Sequence, residues 1–246
     1  MTKKIFAIGD IHGCYNELMA LMAQLPINKS LDTVVFMGDY TDRGPDSRKV
    51  VEQLIKWHKK YPHWVFLYGN HEDILLDHIR GNGRIYGLSN WYANGGRATL
   101  ESYKQGKKVA DPLQEALRPA VIPDEHLDFL QNSTVYMFEA DSYIFVHAGL
   151  VPGLPVRSQD SHLRQLIWTR EEFIEADYDW GKKVIFGHTA DYDGRYSPTN
   201  ESFTPIVMAN KIGIDTAVCP PASRKLTAIE LPSEKFYFQE AIQTDA

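Results

Sequence analysis

The amino-acid sequence predicts an α/β fold with a largely parallel sheet in its first half. Five short runs rich in Val, Ile, Phe and Tyr have the length and composition of buried strands: 4–8, 33–37, 64–68, 142–146 and 183–186. The first three are followed by segments with Leu, Ile and Val at helical spacing: roughly 15–25, 46–61 and 72–81. Strands that alternate with helices predict βαβ units.

Each of these five strands ends in a residue that can bind a metal ion. Gly commonly precedes it, as in Gly9-Asp10, Gly38-Asp39 and Gly187-His188. In parallel sheets, the residues just past the carboxyl ends of the strands lie along one edge, where ligands bind. We therefore expect the side chains at these five strand ends to lie close together: Asp10, Asp39, Asn70, His147 and His188.

The middle and the end of the chain have weaker patterns. Residues 82–132 predict a helical or irregular excursion, because glycines interrupt this stretch repeatedly. Short apolar runs near the end predict further strands in a second sheet: 206–209, 212–215, 226–231 and 236–238. No repeat or linker divides the chain, so a single domain over residues 1–246 is expected.

Composition excludes several classes of protein. Of the 246 residues, 32 are acidic and 26 basic, and the net charge of −6 disfavours a nucleic-acid partner. The absence of a run of about 18 apolar residues disfavours a membrane protein, and the apolar start is too short for a signal peptide. Two cysteines, Cys14 and Cys219, form no disulfide framework, so a cytoplasmic location is expected.

The residues at the strand ends suit a metal centre. Asp10 and His12 can reach one ion if the chain turns between them, and the two oxygens of Asp39 can bridge two ions. Nitrogen and oxygen ligands without a thiolate favour Mn, Fe or Zn over a structural cysteine-type zinc site. Two ions about 3.5–4 Å apart could hold a phosphate ester and lower the pKa of a bound water, which would then attack phosphorus.

Five motifs resemble those of the metallophosphoesterases: "GDIHG", "GDYTDRG", "GNHE", "HAG" and "GHT". They span residues 9 to 189 in that family's order and are most similar to the bacterial and phage branch of the serine/threonine phosphoprotein phosphatases, which are related to diadenosine tetraphosphatases. The resemblance implies an α/β (α+β) fold, a β-sandwich of two mixed sheets flanked by helices. The calcineurin-like domain would cover the whole chain.

The resemblance also implies a role for each motif residue. Two divalent ions are expected, manganese by preference and iron or zinc as alternatives. Asp10 and His12 would bind the first ion, Asp39 would bridge, and the second ion would be held by Asn70, His147 and His188. His71 would act as the general acid, oriented by Asp42. Phosphate oxygens would be bound by Arg43, Arg170, Asn70 and His71.

The resemblance leaves the substrate open. A phosphorylated protein or a small phosphate ester is the leading expectation, and hydrolysis of diadenosine tetraphosphate is the alternative. An inactive metal-binding scaffold is disfavoured, because no ligand and neither member of the His71–Asp42 pair is missing. The segment 213–219, "GIDTAVC", departs from the family's usual "IDTG" at Ala217, which puts the shape of that loop in question. Trp91, Asn94, Gly95 and Gly96 are expected to pack beside the pocket.

Overall fold

The computed structural model describes residues 3–80, 85–104, 122–197, 199–219 and 224–242. Two mixed five-stranded sheets are flanked by helices, which confirms the predicted fold class. A layer of apolar side chains drawn from both sheets, including Ala7, Val35, Phe145 and Ile185, fills the space between them. The sheets therefore form a sandwich with a shared core.

The first sheet has a parallel centre. Its strand order is β10-β9-β1-β2-β3, in which β1, β2 and β3 run parallel and β9 and β10 are antiparallel to their neighbours. The neighbours Phe6 and Ile8 pack toward the helices while Ala7 packs toward the second sheet, so both faces of β1 are buried. This double burial explains the continuous apolar runs. The strands are β1 (Ile5–Ile8), β2 (Thr33–Phe36), β3 (Val65–Phe66), β9 (Lys225–Leu231) and β10 (Lys235–Glu240).

The second sheet has the order β4-β5-β6-β8-β7, with β5, β6 and β8 parallel and the two edge strands antiparallel. Its edge strand β4 was not predicted, because this three-residue segment is only partly buried and has no apolar alternation. The strands are β4 (Met137–Glu139), β5 (Tyr143–Val146), β6 (Lys183–Phe186), β7 (Ile206–Val207) and β8 (Lys211–Gly213).

Two details of the sheets differ from the expectation. All four runs near the end of the chain form strands, and β7 and β8 join the second sheet as predicted, but β9 and β10 extend the first. The five strands that end in metal-capable residues also do not share one sheet edge. Three belong to the first sheet and two to the second, so their ends meet across the sandwich. Local patterns do not reveal which strand a segment will pair with.

The helices follow the predicted pattern at the front of the chain, where α1, α2 and α3 match the three predicted segments. Within the excursion, α4, α5 and α6 are described, whereas residues 82–84 and 105–121 lie outside the described residues. No described helix is long and apolar enough to span a membrane. The helices are α1 (Tyr15–Gln24), α2 (Ser47–Lys60), α3 (Asn70–Ile79), α4 (Gly87–Ala93), α5 (Gly96–Lys104), α6 (Asp124–Asn132), a 3-10 helix (Val156–His162), α7 (Leu163–Trp168) and α8 (Glu171–Ile174).

In the loop after β8, Ala217 adopts a left-handed backbone conformation, which favours glycine. This alanine has φ of 55°, in the left-handed region, where a side chain costs about 1–2 kcal/mol. Replacing it with glycine also adds freedom to the unfolded chain, which costs about 0.4–1 kcal/mol.

We therefore expect Ala217→Gly to raise the free energy of unfolding by about 0.5–1 kcal/mol. Chemical denaturation measures this change. The matched control is Ala93→Gly at an exposed position in α4, which should lower stability by up to about 1 kcal/mol. Equal destabilisation by both substitutions would show that Ala217 is not strained.

Candidate active site

The loops that follow β1 and β2 are joined by backbone hydrogen bonds at the edge of the first sheet. The Asp39 carbonyl accepts hydrogen bonds from the backbone N–H groups of Ile11 and His12, at 3.2 and 2.8 Å. His12 and Asp39 both have left-handed backbones, with φ of 46° and 51°. These bonds hold two strained residues in place, and the tight turns bring their side chains together.

The carboxylate of Asp39 lies between two groups of buried histidines. One group joins Asp39 with His12 and His71, and the other joins it with His147 and His188. Within each group the candidate ligand atoms all lie within 4.8 Å of one another. Asp39 Oδ2 is 3.6 Å from His12 Nε2, whereas Oδ1 is 3.3 Å from His147 Nε2. Each carboxylate oxygen therefore serves one group, which suits a bridging ligand.

In His12 and His147, a hydrogen bond to a backbone carbonyl determines which ring nitrogen has a lone pair available to bind a metal ion. His12 Nδ1 donates to the Thr41 carbonyl at 2.9 Å, and His147 Nδ1 donates to the Met37 carbonyl at 2.7 Å. A carbonyl only accepts, so the hydrogen sits on Nδ1 and the lone pair of Nε2 faces Asp39. Burial lowers the pKa of both imidazoles and favours this neutral form. Metal-binding histidines commonly have this arrangement.

Three more side chains bring atoms with lone pairs near Asp39: Asn70, Asp10 and His188. Asn70 Oδ1 lies 3.0 Å from His147 Nε2, so two acceptors face each other. Asp10 Oδ1 and His188 Nε2 are buried without a hydrogen-bond partner among the described residues. Such groups are costly unless a cation or donor satisfies them, so the residues present fit divalent metal ions.

Asp10 is attached to the second sheet through His188. Its Oδ2 accepts the backbone N–H of His188 at 2.9 Å. A Cβ at Gly187 would lie only 2.1 Å from Asp10 Oδ1, so glycine is required for this approach. Burial and the negative charges of Asp215 and Asp39 raise the pKa of Asp10. Asp10 itself lies outside both histidine groups, although it contacts a residue of one.

His71 and Asp42 form a buried pair. His71 Nδ1 lies 2.7 Å from Asp42 Oδ2, and the backbone N–H of His71 donates to Asp39 Oδ1 at 3.0 Å. Burial opposes protonation of His71, but the negative charges of Asp39 and Asp42 outweigh it and raise its pKa. Although His71 belongs to one histidine group, its raised pKa sets it apart from His12 and suits a proton donor.

The two predicted phosphate-binding arginines have different surroundings. Arg43 spans two imidazoles, with Nη1 2.8 Å from His12 Nε2 and Nη2 3.1 Å from His71 Nε2. Arg170 Nη1 donates to the His188 carbonyl at 2.9 Å and to the Thr189 hydroxyl at 3.2 Å. The guanidinium of Arg43 thus faces the site directly, whereas Arg170 supports the backbone beside it. Binding of phosphate by either arginine stays a prediction.

Glu72, the last residue of the "GNHE" motif, has a structural role that the sequence did not suggest. It is fully buried, its Oε2 accepts the backbone N–H groups of Asp39 and Gly69, at 2.8 and 3.2 Å, and its Oε1 accepts that of Tyr40 at 2.8 Å. Burial and the charge of Asp39 raise the pKa of Glu72 to about 8. Glu72 therefore fastens the Asp39 loop to α3, and an acid in the first turn of a helix was the available signal.

A second unpredicted acid, Asp215, lies just past the end of β8. It is buried, and its Oδ1 accepts the backbone N–H of Ala217 at 2.9 Å. Burial raises its pKa despite the opposing charge of Arg43. A weaker signal was present in "GID", where an acid lies two residues past a strand that ends in glycine, whereas in Gly9-Asp10 the acid follows the glycine directly.

The fold and the grouped ligands define a metallophosphoesterase. A sequence profile described as calcineurin-like phosphoesterase matches residues 3–219, and the chain belongs to this family. The family uses a dinuclear metal centre, and Asp39 with its two histidine groups could hold such ions. The chain is therefore a phosphoesterase that hydrolyses phosphate bonds.

Relatives of this chain carry different substrate names. It is 28% identical to the asymmetrical bis(5'-nucleosyl)-tetraphosphatase PrpE of Oceanobacillus iheyensis, over 95% of this chain and 90% of the relative. It is 26% identical to serine/threonine-protein phosphatase 2 of Salmonella typhimurium, over 88% of each chain. A crystal structure of a candidate diadenosine tetraphosphatase shares the fold, with a TM-score of 0.63, 21% identity and coverage of 99% of this chain and 96% of that one.

We expect wild-type protein to bind about two Mn²⁺ ions and to gain thermal stability in their presence. Asp39→Asn should abolish both effects together with activity, because an amide supplies only one neutral oxygen ligand. Atomic emission after dialysis and thermal unfolding with added Mn²⁺ provide the measurements. Asp141→Asn, at an exposed turn before β5, is the control. An active Asp39→Asn variant without metal would contradict the shared site.

Proposed function

We propose that the protein removes phosphate from phosphoserine and phosphothreonine in proteins, with two manganese ions as its metals and iron or zinc as alternatives. The observation that supports this reaction is the buried His71–Asp42 pair, which can hold a proton beside the metal ligands. Bound divalent ions would activate a water molecule as the nucleophile and offset the negative charge of the phosphate.

Six residues would hold the ions. Asp10 and His12 would bind the first, Asp39 would bind both, and the second would be bound by Asn70, His147 and His188. The fit rests on the lone pairs that converge at Asp39 and on Asp10 Oδ1 and His188 Nε2, for which the described part of the chain offers no hydrogen-bond partner. The carbonyl contacts of His12 and His147 keep Nε2 available on both rings.

His71 would donate a proton to the leaving oxygen. Its Nδ1 is occupied by Asp42, and its Nε2 points toward Asp39 Oδ2 at 3.8 Å and toward Arg43. Nε2 is therefore the atom that would transfer the proton, once Arg43 turns from it to the phosphate. Arg43 would bind the phosphate oxygens with its forked donors, and Arg170 would assist from the His188 side.

The need for a proton favours a phosphate monoester as substrate. The alkoxide of serine or threonine is a strong base, so it leaves readily only when an acid protonates it. A phosphate leaving group, with a second pKa of about 6, is a much weaker base and leaves more readily without being protonated. A buried histidine that can donate a proton would therefore be more useful against a phosphoprotein than against a polyphosphate chain. The relative from Salmonella, named a protein phosphatase, also supports this substrate.

A second candidate is hydrolysis of dinucleoside tetraphosphates, which is supported by an aromatic surface beside the site. Tyr192, four residues after His188, is 58% exposed, and its ring contacts Phe203 at 5.4 Å between centroids. The guanidinium of Arg224 lies 4.7 Å from the Phe203 centroid and donates to the Cys219 carbonyl. Flat aromatic rings and arginine are suited to stacking with nucleobases.

The two candidates can be separated by comparing substrates. We expect a higher kcat/KM on a phosphothreonine peptide than on diadenosine tetraphosphate, with Mn²⁺ present. Tyr192→Ala should lower turnover of the dinucleotide by about 10-fold, if one base stacks there, and leave the peptide unaffected. Val207→Ala, at another exposed apolar position, is the control. Preference of the wild-type protein for the dinucleotide would replace the phosphoprotein proposal with the second candidate.

The substitution His71→Asn tests whether His71 is the general acid. The asparagine retains polarity but cannot donate a proton to an alkoxide, so kcat on the peptide should fall by about 10²–10⁴-fold while metal content stays unchanged. His162→Asn, in the 3-10 helix, serves as a control. Wild-type turnover by His71→Asn would remove the general acid from the mechanism.

A further inference from the structure

We propose that Thr99 and Trp91, both in the excursion, are positioning residues that aim the Asp42 carboxylate at His71. This inference rests on the proposed function, because it assigns the machinery that keeps the general acid in place. The Thr99 hydroxyl donates to Asp42 Oδ1 at 2.7 Å, and Trp91 Nε1 donates to the same oxygen at 3.1 Å. Oδ2 is left for His71.

Thr99 holds Asp42 at two points. Besides donating to Oδ1, its hydroxyl oxygen accepts the backbone N–H of Asp42 at 2.8 Å. The Ser47 hydroxyl lies 3.1 Å from the same oxygen and 3.2 Å from the Asp42 nitrogen. Asp42, Thr99 and Ser47 are all fully buried, so water cannot replace a lost bond. The side chain of Asp42 is thereby fixed at both its base and its tip.

This fixation matters because Asp42 has an unfavourable backbone. Its φ is 71° and that of Arg43 is 67°, both in the left-handed region. Bonds from outside the loop must hold such residues in place, since the local conformation does not favour them. Arg43 is held in the same way, because its backbone N–H donates to the Gly95 carbonyl at 3.2 Å.

The glycine pair in "NGG" permits this approach. A Cβ at Gly96 would lie 2.3 Å from the indole of Trp91, and one at Gly95 would lie 2.6 Å from the Arg43 nitrogen. Gly95 also has φ of 99°. Trp91 is fully buried, and the ring of His78 packs on it at 4.6 Å. The excursion is therefore built to bring its hydroxyl and indole donors up to Asp42.

A chain of hydrogen bonds connects the excursion to the proposed general acid. Thr99 and Trp91 contact Asp42, Asp42 contacts His71, and His71 would contact the leaving oxygen. Among the described residues, Thr99 and Trp91 make hydrogen bonds to Asp42 and none to a proposed metal ligand, so their effect should pass mainly through His71. Loss of either donor should slow reactions that need a proton and spare those that do not.

Thr99→Val tests this inference, because valine has nearly the same shape and lacks the hydroxyl. We expect kcat on the phosphothreonine peptide to fall at least 10-fold, which is part of the full effect of losing the acid. On p-nitrophenyl phosphate, whose leaving group needs no proton, kcat should fall less than about 3-fold. Manganese content and KM for the peptide should stay unchanged. Thr99→Ser keeps the hydroxyl and should restore most of the activity, and Thr134→Val is the control for a half-buried threonine elsewhere.

A double substitution tests whether Thr99 and His71 act through the same step. In a His71→Asn background, Thr99→Val should cause no further decrease, because both act through one proton. Trp91→Phe gives a second reading if Thr99→Val is unstable, and it should show the same dependence on leaving group. Equal losses on both phosphates, or additive losses in the double variant, would overturn the inference. If His71→Asn alone has normal activity, the proposed function fails instead.

Discussion

The structure of the site depends on how Asp39 is held between the two sheets. Its carbonyl anchors the turn after β1, its backbone N–H is bound by Glu72, and its Oδ1 accepts the backbone N–H of His71. The first three strand ends are thus tied to one residue. The second sheet joins through His147, whose ring is oriented by the Met37 carbonyl. One carboxylate can therefore face two groups of ligands only because both sheets are docked on a common core.

Holding the ligands so closely requires strained backbone. Five residues of the site that are not glycine adopt left-handed conformations, each of which costs on the order of 1–2 kcal/mol. The cost is offset by backbone hydrogen bonds within the loops and by buried side chains such as Glu72. Strain concentrated in this way is common where side chains must be held in one geometry for chemistry. The five residues are His12, Asp39, Asp42, Arg43 and His188.

The two parts of the proposed reaction come from different parts of the fold. Strand ends of both sheets would supply the metal ligands, so metal binding would require the sandwich. Proton donation would depend on His71 in α3 and on Asp42, which α4 and α5 hold from outside the sandwich. The described part of the excursion thus contacts Asp42 of the proposed catalytic pair, beyond the expected packing beside the pocket. The metal site and the acid can therefore respond separately to substitution.

The sequence by itself determined the family and predicted the metal-capable residues at the strand ends. Short apolar runs that stop at Gly-Asp or Gly-His are local patterns, so Asp10, Asp39 and His188 could be selected as candidate ligands without a structure. Tertiary structure decided which sheet each strand joins and which residues support the ligands. Asp42 and Thr99 are 57 positions apart, and no periodic pattern connects them. The role of Glu72 could not be predicted, because its carboxylate binds the backbone N–H groups of Asp39 and Tyr40, which only folding brings within reach. The place of Asp215 beside Asp10 and Arg43 likewise depends on strand pairing that local patterns do not reveal.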